Sequence, residues 1–100
     1  MLLHIMSSGL NQQQVLQRCL ALTAAGDAVL FIEDGVYWAT KAVQATTTLE
    51  TASKGTQFYV LKEDLKARGI EEHIGPEAVQ IDYLGFVKLT EKYERSVSWY

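Results

Sequence analysis

The chain has 100 residues, of which 48% are hydrophobic, and this is typical of one compact domain spanning residues 1–100. Its formal net charge of -3 has the wrong sign for wrapping a phosphate backbone, which argues against direct binding to nucleic acid. No apolar run approaches the roughly 20 residues that span a bilayer, and the amino terminus lacks the basic flank of a secretory signal. The single cysteine forms no internal disulfide, so we expect a cytoplasmic protein without membrane contact.

The first part of the chain predicts a strand, a helix and a second strand. Leu2–Met6 is short and apolar, which indicates a strand that ends at the turn formed by Ser7, Ser8 and Gly9. Asn11 is expected to cap the next helix, with Gln14 as its reciprocal partner. Side chains at three- and four-residue spacing mark the buried face of this helix: Val15, Leu16, Cys19, Leu20 and Thr23. A strand at 28–33 without polar alternation indicates burial on both faces.

The rest of the chain continues the alternation of strands and helices. In order, we predict a helix over 35–42, a surface loop or weak helix over 44–56, a strand at 57–61, a short charged helix ending at Gly69, a strand at 79–82 and a helix over 83–93. This order predicts an α/β fold: a three-layer sandwich around a mostly parallel, four-stranded sheet. The segment between the second and third strands is therefore a crossover and not a hairpin.

Three aspartates share one position relative to the predicted elements. Asp34, Asp64 and Asp82 each follow a strand and precede a helix, where a carboxylate accepts hydrogen bonds from the free N–H groups of the first turn. Helix capping therefore explains all three. A second interpretation stays open for Glu33 and Asp34, since ligands of open α/β sheets bind beyond the carboxyl ends of strands. The sequence has no glycine-rich phosphate-binding motif that would strengthen this interpretation.

The histidines and the cysteine do not have the spacing of a metal site. His4 lies in the first predicted strand, His73 in a loop and Cys19 on a helix, so we expect no zinc site and no cofactor. His4 is interpreted as a core residue with one hydrogen bond. Asp64 and Arg68 are four residues apart and can pair on a helix surface.

Cys19 has a structural and a functional interpretation. On the buried face of a helix it needs no chemistry, because free cysteine is among the most buried side chains. A sulfur carrier would instead need an exposed thiol with a lowered pKa. We expect a mostly buried thiol, and no other residue is a candidate for catalysis.

Five stretches together resemble the TusB/DsrH family of small sulfur-relay subunits. They are Leu3-His4, "EDGVYWA" at 33–39, "YVLKEDLKARGI" at 59–70, "IDYLGFVKLT" at 81–90 and Trp99. Each motif is weak alone, but the set spans nearly the whole chain in the order and spacing of the family. The resemblance implies a DsrE/DsrF/DsrH-like fold.

The resemblance also implies a role that depends on partners. Proteins of this kind assemble with TusC-like and TusD-like subunits into a heterohexamer with two copies of each, and the sulfur-bearing cysteine belongs to the TusD-like partner. The complex receives persulfide sulfur from a TusA-like carrier and passes it through a TusE-like carrier toward 2-thiolation of tRNA wobble uridine. The resemblance thus implies a non-catalytic structural subunit.

Other functions remain open from the sequence. DsrH-like members carry a cysteine where this chain has Cys19, which leaves open a subunit of a dissimilatory sulfur-oxidation complex with Cys19 as sulfur carrier. A small α/β ligand-binding module and a homo-oligomer of the isolated chain are further alternatives. Four aromatic residues fit either a core or a subunit interface: Tyr37, Trp38, Trp99 and Tyr100.

Overall fold

The computed structural model describes residues 1–44 and 55–100. The strands are β1 (Leu2–Met6), β2 (Ala28–Phe31), β3 (Gln57–Leu61), β4 (Ala78–Ile81) and β5 (Arg95–Trp99). The α-helices are α1 (Gln13–Leu22), α2 (Lys41–Gln44), α3 (Lys62–Ala67) and α4 (Tyr83–Lys92). Three 3-10 helices lie at Leu10–Gln12, Glu33–Ala39 and Glu71–His73. The loop or weak helix predicted over 44–56 falls largely on residues outside the described ranges.

The strands form one sheet in which every neighbouring pair is parallel. The strand order is β4-β3-β2-β1-β5. The predicted α/β fold with a parallel sheet is confirmed, and the second and third strands are joined by a crossover as expected. The number of strands differs from the prediction, because the described residues contain a fifth strand, β5, at the edge beside β1.

The strand order places the helices on two faces of the sheet. The chain steps from β1 to β4 in one direction and then returns past β1 to β5. Since parallel crossovers are right-handed, a reversal of direction moves the connecting helix to the opposite face. One face is covered by α1, the 3-10 helix Glu33–Ala39 and α3, and the other face by α4.

Each face of the sheet has its own apolar core. The larger core lies under α1 and includes Met6, Leu16, Cys19, Val29, Phe31, Val36, Trp38, Phe58, Val60 and Leu65. The smaller core lies under α4 and includes Leu3, Ala28, Leu30, Leu89 and Tyr93. All four residues of β2 are buried, as the unbroken apolar pattern predicts. None of the helices in the described part of the chain has the length and apolar character needed to cross a membrane.

Two helix starts differ from the sequence prediction. The predicted pairing of Asn11 with Gln14 as a helix cap is wrong, because the 3-10 helix Leu10–Gln12 runs directly into α1 and neither helix start has a side-chain cap. The helix predicted over 35–42 is mostly a 3-10 helix, Glu33–Ala39, followed after Thr40 by the short α2. An isolated bridge between Thr40 and Ile74 separates the two helices.

Candidate functional site

The segment Glu33-Asp34-Gly35 begins where β2 ends, at the carboxyl edge of the sheet. The N–H of Ile32 donates a 3.0 Å hydrogen bond to the carbonyl oxygen of Met6, at the end of β1. Gly35 then passes so close to this carbonyl that a Cβ at position 35 would run into the oxygen. The backbone of the 3-10 helix thus lies directly on the end of β1, which only glycine permits.

Two of the three aspartates predicted as caps do something else. The side chain of Asp64 accepts a 2.7 Å hydrogen bond from the N–H of Glu33, so it holds the start of the neighbouring 3-10 helix and not of its own helix. Asp34 accepts two hydrogen bonds from Arg68, at 3.2 Å from Nε and 2.9 Å from Nη2, and both reach Oδ1. The predicted ion pair of Arg68 with Asp64 is present, but its distance of 3.9 Å between Nη1 and Oδ1 is longer than the distance from Arg68 to Asp34. These side chains fasten α3 to the 3-10 helix Glu33–Ala39.

Asp82 is a helix cap, as predicted. Its Oδ1 accepts a 2.9 Å hydrogen bond from the N–H of Gly85, and its backbone is extended, as expected for an N-cap residue. The carboxylate of Glu63 accepts a 3.2 Å hydrogen bond from the N–H of Tyr83. The first turn of α4 therefore has two carboxylate partners from two parts of the chain.

A surface pocket of about 350 Å³ lies beside Asp34 at the carboxyl edge of the sheet. Its lining combines backbone, apolar and polar groups, and the described residues that line it are Gly9, Leu10, Asn11, Asp34 and Tyr37. The structure thus brings Asp34 to a concave surface, while the backbone N–H of Glu33 is held by Asp64. The sequence interpretation of this edge as a binding site remains a hypothesis.

Cys19 lies on the inner face of α1 and is fully buried. Burial raises the pKa of the thiol to about 11, although the side chain of Thr23 acts in the opposite direction. A thiol with this pKa is ionised at pH 7 in roughly one molecule in ten thousand. In the isolated chain, Cys19 therefore lacks both the exposure and the thiolate that sulfur transfer needs.

A buried hydrogen-bonded chain connects three side chains that sequence reasoning did not bring together. Nε2 of His4 lies 3.1 Å from Oδ2 of Asp27, and Nδ1 of His4 lies 3.1 Å from the indole nitrogen of Trp99. The prediction that His4 is a core residue is right, but its ring makes two hydrogen bonds and not one. The sequence gives no local signal for the contact between His4 and Asp27, because the two residues are far apart in the chain.

The Asp27 carboxylate is ionised in spite of its burial. It accepts hydrogen bonds from the N–H of Leu2 at 2.8 Å and the N–H of Ala24 at 3.0 Å, in addition to its contact with His4. Burial alone would raise its pKa, but these hydrogen bonds outweigh burial and hold the pKa of Asp27 below its ordinary value. Asp27 thereby ties the start of β1 to the turn before β2.

The four aromatic residues left open by the sequence divide between core and surface. Trp38 is buried, and its indole donates a 2.8 Å hydrogen bond to the carbonyl of Ser8. Trp99 packs against the larger core, whereas Tyr100 is 88% exposed. Tyr37 is half-buried and lines the pocket. Within residues 1–44 and 55–100, no three His, Cys, Asp or Glu side chains form a group that could hold a metal ion.

Comparison with known proteins gives matches in both sequence and structure. A family model described as DsrH like protein matches residues 10–96. The proteins named TusB from Salmonella enteritidis PT4 and Salmonella arizonae are each 40% identical to this chain over 81 residues, which is 80% of this chain and 82% of each relative.

Two solved structures share the fold. A Thermotoga maritima protein solved by solution NMR has a TM-score of 0.66 and 26% identity, covering 94% of this chain and 95% of that one. A protein of unknown function from Methanobacterium thermoautotrophicum has a TM-score of 0.69, and the match covers 97% of this chain and 96% of that one. Because the two sequences are only 14% identical, this match supports the fold alone. The match over residues 10–96 and the 40% identity to TusB proteins show that the chain belongs to the TusB/DsrH family.

Proposed function

We propose that this chain is a non-catalytic structural subunit of a cytoplasmic sulfur-relay complex. In this proposal it assembles with TusC-like and TusD-like subunits, two copies of each, and the complex accepts persulfide sulfur from a TusA-like carrier. A TusE-like carrier then takes the sulfur toward 2-thiolation of tRNA wobble uridine. The family membership supports the assignment to sulfur relay, and the protein acts as one domain over residues 1–100.

The observation that carries the non-catalytic role is the burial of the only cysteine. Cys19 has no exposed surface, and its pKa is raised to about 11. A persulfide forms when a thiolate attacks a sulfur donor, so the attacking thiol must be both ionised and reachable. Sulfur transfer in the complex then falls to the cysteine of another subunit.

Exposed apolar side chains support a role in assembly. On α4, Tyr83, Leu84 and Val87 are 55%, 61% and 51% exposed, and they lie on the side of the helix away from Leu89 and the core. Exposed apolar groups that lie together on one helix face are typical of protein contact surfaces. We therefore assign the outer face of α4 to contact with a partner subunit.

Co-expression tests the assembly. The wild-type chain, produced with TusC-like and TusD-like chains, is expected to elute in size-exclusion chromatography as one complex containing equal amounts of all three. Leu84→Asp should weaken the complex by placing a carboxylate in the contact. Leu22→Asp is the matched control, because Leu22 is 66% exposed at the end of α1, on the opposite face of the sheet.

The outcome separates assembly from a ligand-binding module. Failure of the wild-type chain to co-elute with either partner would contradict the proposal and favour an independent module. If Leu84→Asp and Leu22→Asp both leave the complex intact, the contact lies elsewhere than on α4.

Mass analysis tests the role of Cys19. After incubation of the complex with a persulfide donor, we expect no added sulfur on Cys19, and Cys19→Ser should leave sulfur transfer largely intact. Iodoacetamide should modify Cys19 at a rate limited by unfolding of the native chain. Addition of 32 Da to Cys19, together with loss of transfer in a well-folded Cys19→Ser complex, would instead favour a DsrH-like carrier in a dissimilatory pathway.

A further inference from the structure

We propose that the pocket beside Asp34 binds an organic cation: one guanidinium or ammonium group on a short apolar stem. The pocket is the surface lined by Gly9, Leu10, Asn11, Asp34 and Tyr37. This inference goes beyond the role in sulfur relay and does not rest on it, since it concerns a binding site of the isolated chain.

The position and size of the pocket suit a small ligand. It lies where β1 and β2 end, and ligands of open α/β folds bind beyond the carboxyl ends of the strands. Its volume of about 350 Å³ is at the lower end of the range of about 300–1,000 Å³ for small-molecule sites. A single side chain or a small amine fits a pocket of this size.

The lining indicates which chemistry the ligand has. Leu10 and the ring of Tyr37 offer apolar surface for a stem, and Leu10 is 45% exposed in the free chain. Among the described lining residues, Asp34 is the only one with an acidic or basic side chain other than the phenol of Tyr37. The amide of Asn11 and the hydroxyl of Tyr37 make no hydrogen bond to any described residue, so both are available to a ligand. An apolar wall with one carboxylate favours a cation on an apolar stem.

The hydrogen bonds of Asp34 leave one of its carboxylate oxygens available. Nε and Nη2 of Arg68 both donate to Oδ1 of Asp34, while Oδ2 accepts no hydrogen bond from the described residues. Arg68 thereby fixes the orientation of the carboxylate, and the Asp34 side chain keeps 68% of its surface exposed. A bound guanidinium or ammonium can donate to Oδ2 without displacing Arg68.

The surrounding charge also favours a cation. Among the described residues, the guanidinium of Arg68 lies 2.9 Å from Oδ1 of Asp34 and 3.9 Å from Oδ1 of Asp64, so one cation is shared by two carboxylates. Arg68 therefore does not neutralise the surroundings of the pocket. An anionic ligand would meet this excess negative charge, while a cation gains from it.

NMR titration of the full-length, 15N-labelled chain tests the proposal with three probes. The cation n-butylguanidine should produce saturable shifts of the amide signals of Gly9, Leu10 and Asn11. Its neutral, nearly isosteric analogue n-butylurea should bind at least about tenfold more weakly, because its N–H donors carry no positive charge to attract the carboxylate of Asp34. Nα-acetyl-arginine amide represents an arginine side chain of a protein, so tighter binding of this probe than of n-butylguanidine indicates a protein ligand, and the reverse a free amine.

Variants separate the pocket from general surface charge. Asp34→Asn keeps the shape of the pocket and should weaken binding of n-butylguanidine about tenfold or more. Leu10→Trp keeps Asp34 and should abolish the saturable shifts by filling the pocket. Glu91→Gln is the matched control, since it removes an exposed carboxylate from α4 and should leave the affinity unchanged.

Three results would overturn the proposal. They are equal affinity for n-butylurea and n-butylguanidine, unchanged affinity in Asp34→Asn, and shifts that spread over all acidic surfaces without saturating. Each can be obtained whether or not the chain assembles with sulfur-relay partners.

Discussion

The indole N–H of Trp99 donates a 3.1 Å hydrogen bond to Nδ1 of His4, 95 residues earlier in the chain. Because Nδ1 accepts this bond, Nε2 carries the ring N–H and donates a hydrogen bond to Oδ2 of Asp27. The side chains of β5, β1 and the turn before β2 are thus joined by one polar chain that runs across the sheet. This chain adds to the backbone pairing that holds β5 at the sheet edge.

Trp99→Phe should lower the free energy of unfolding by about 1–3 kcal/mol, because Nδ1 of the buried His4 loses its donor. Urea denaturation followed by the fluorescence of Trp38 measures the change, since Trp38 is retained in the variant. Tyr100→Phe is the control and should have little effect, because Tyr100 is 88% exposed. Equal stability of Trp99→Phe and the wild type would mean that water replaces the indole N–H.

Asp27→Asn should destabilise the protein at neutral pH by about 1–3 kcal/mol. The site offers only donors to Asp27, from Leu2, Ala24 and His4, so an amide NH2 would face a donor wherever it is placed. The pKa of Asp27 is lowered from 3.8 in the folded state, so its stabilising effect is present above about pH 4 and is lost as pH falls through the lowered pKa.

Chemical denaturation at several pH values checks this dependence. The difference in stability between the wild type and Asp27→Asn should be constant near neutral pH and should shrink in acid, below the ordinary pKa of 3.8. A difference that grows as the pH falls would have the wrong sign and would contradict the assignment of an ionised Asp27.

Asp82→Ala should lower stability by about 0.5–2 kcal/mol, because the N–H of Gly85 loses its acceptor at the start of α4. Asp82→Asn should cost little, since asparagine is an equally good N-cap residue. Thermal unfolding of the two variants gives the comparison. A normally folded Asp82→Asn protein that no longer supports sulfur relay in its complex would show that Asp82 has a role beyond capping.

Gly35→Ala and Gly69→Ala test two different reasons for a glycine, which are lack of space for a Cβ at position 35 and a positive φ at position 69. A Cβ at Gly35 would run into the carbonyl oxygen of Met6, so the 3-10 helix Glu33–Ala39 and the end of β1 must move apart, at a cost of about 3 kcal/mol. A Cβ at Gly69 meets nothing within 4 Å, but the residue has a φ of +66°, which costs an alanine about 1–2 kcal/mol. Urea denaturation should rank the two variants in this order, and the reverse order would refute the steric explanation.

The sequence predicted the elements whose pattern is local and missed those that depend on distant partners. The unbroken apolar run of β2 and the three- and four-residue spacing of α1 were sufficient to place a buried strand and an amphipathic helix. In contrast, β5 was missed because four of its five residues are exposed. An edge strand of this kind has too little apolar alternation to be distinguished from a polar terminus.

The carboxylates show the same limit at the candidate site. The predicted cap was right for Asp82, which accepts a hydrogen bond from the N–H of Gly85, three residues later in the chain. It was wrong for Asp64 and Asp34, whose hydrogen-bond partners Glu33 and Arg68 lie 31 and 34 residues away. A single sequence gives the position of a carboxylate relative to its own helix but not which other segment lies within reach.

The position of β1 in the sheet has a consequence for folding during synthesis. β1 pairs with β2 on one side and with β5 on the other, so Leu3 lies between Ala28 and Ser96. One edge of the first strand therefore stays unpaired on the ribosome until nearly all of these residues have been translated, and an unpaired strand edge is a site of aggregation. Pairing of such distant residues also raises the contact order and slows folding. Slow translation of residues 95–99 should therefore prolong the period in which nascent chains need a chaperone.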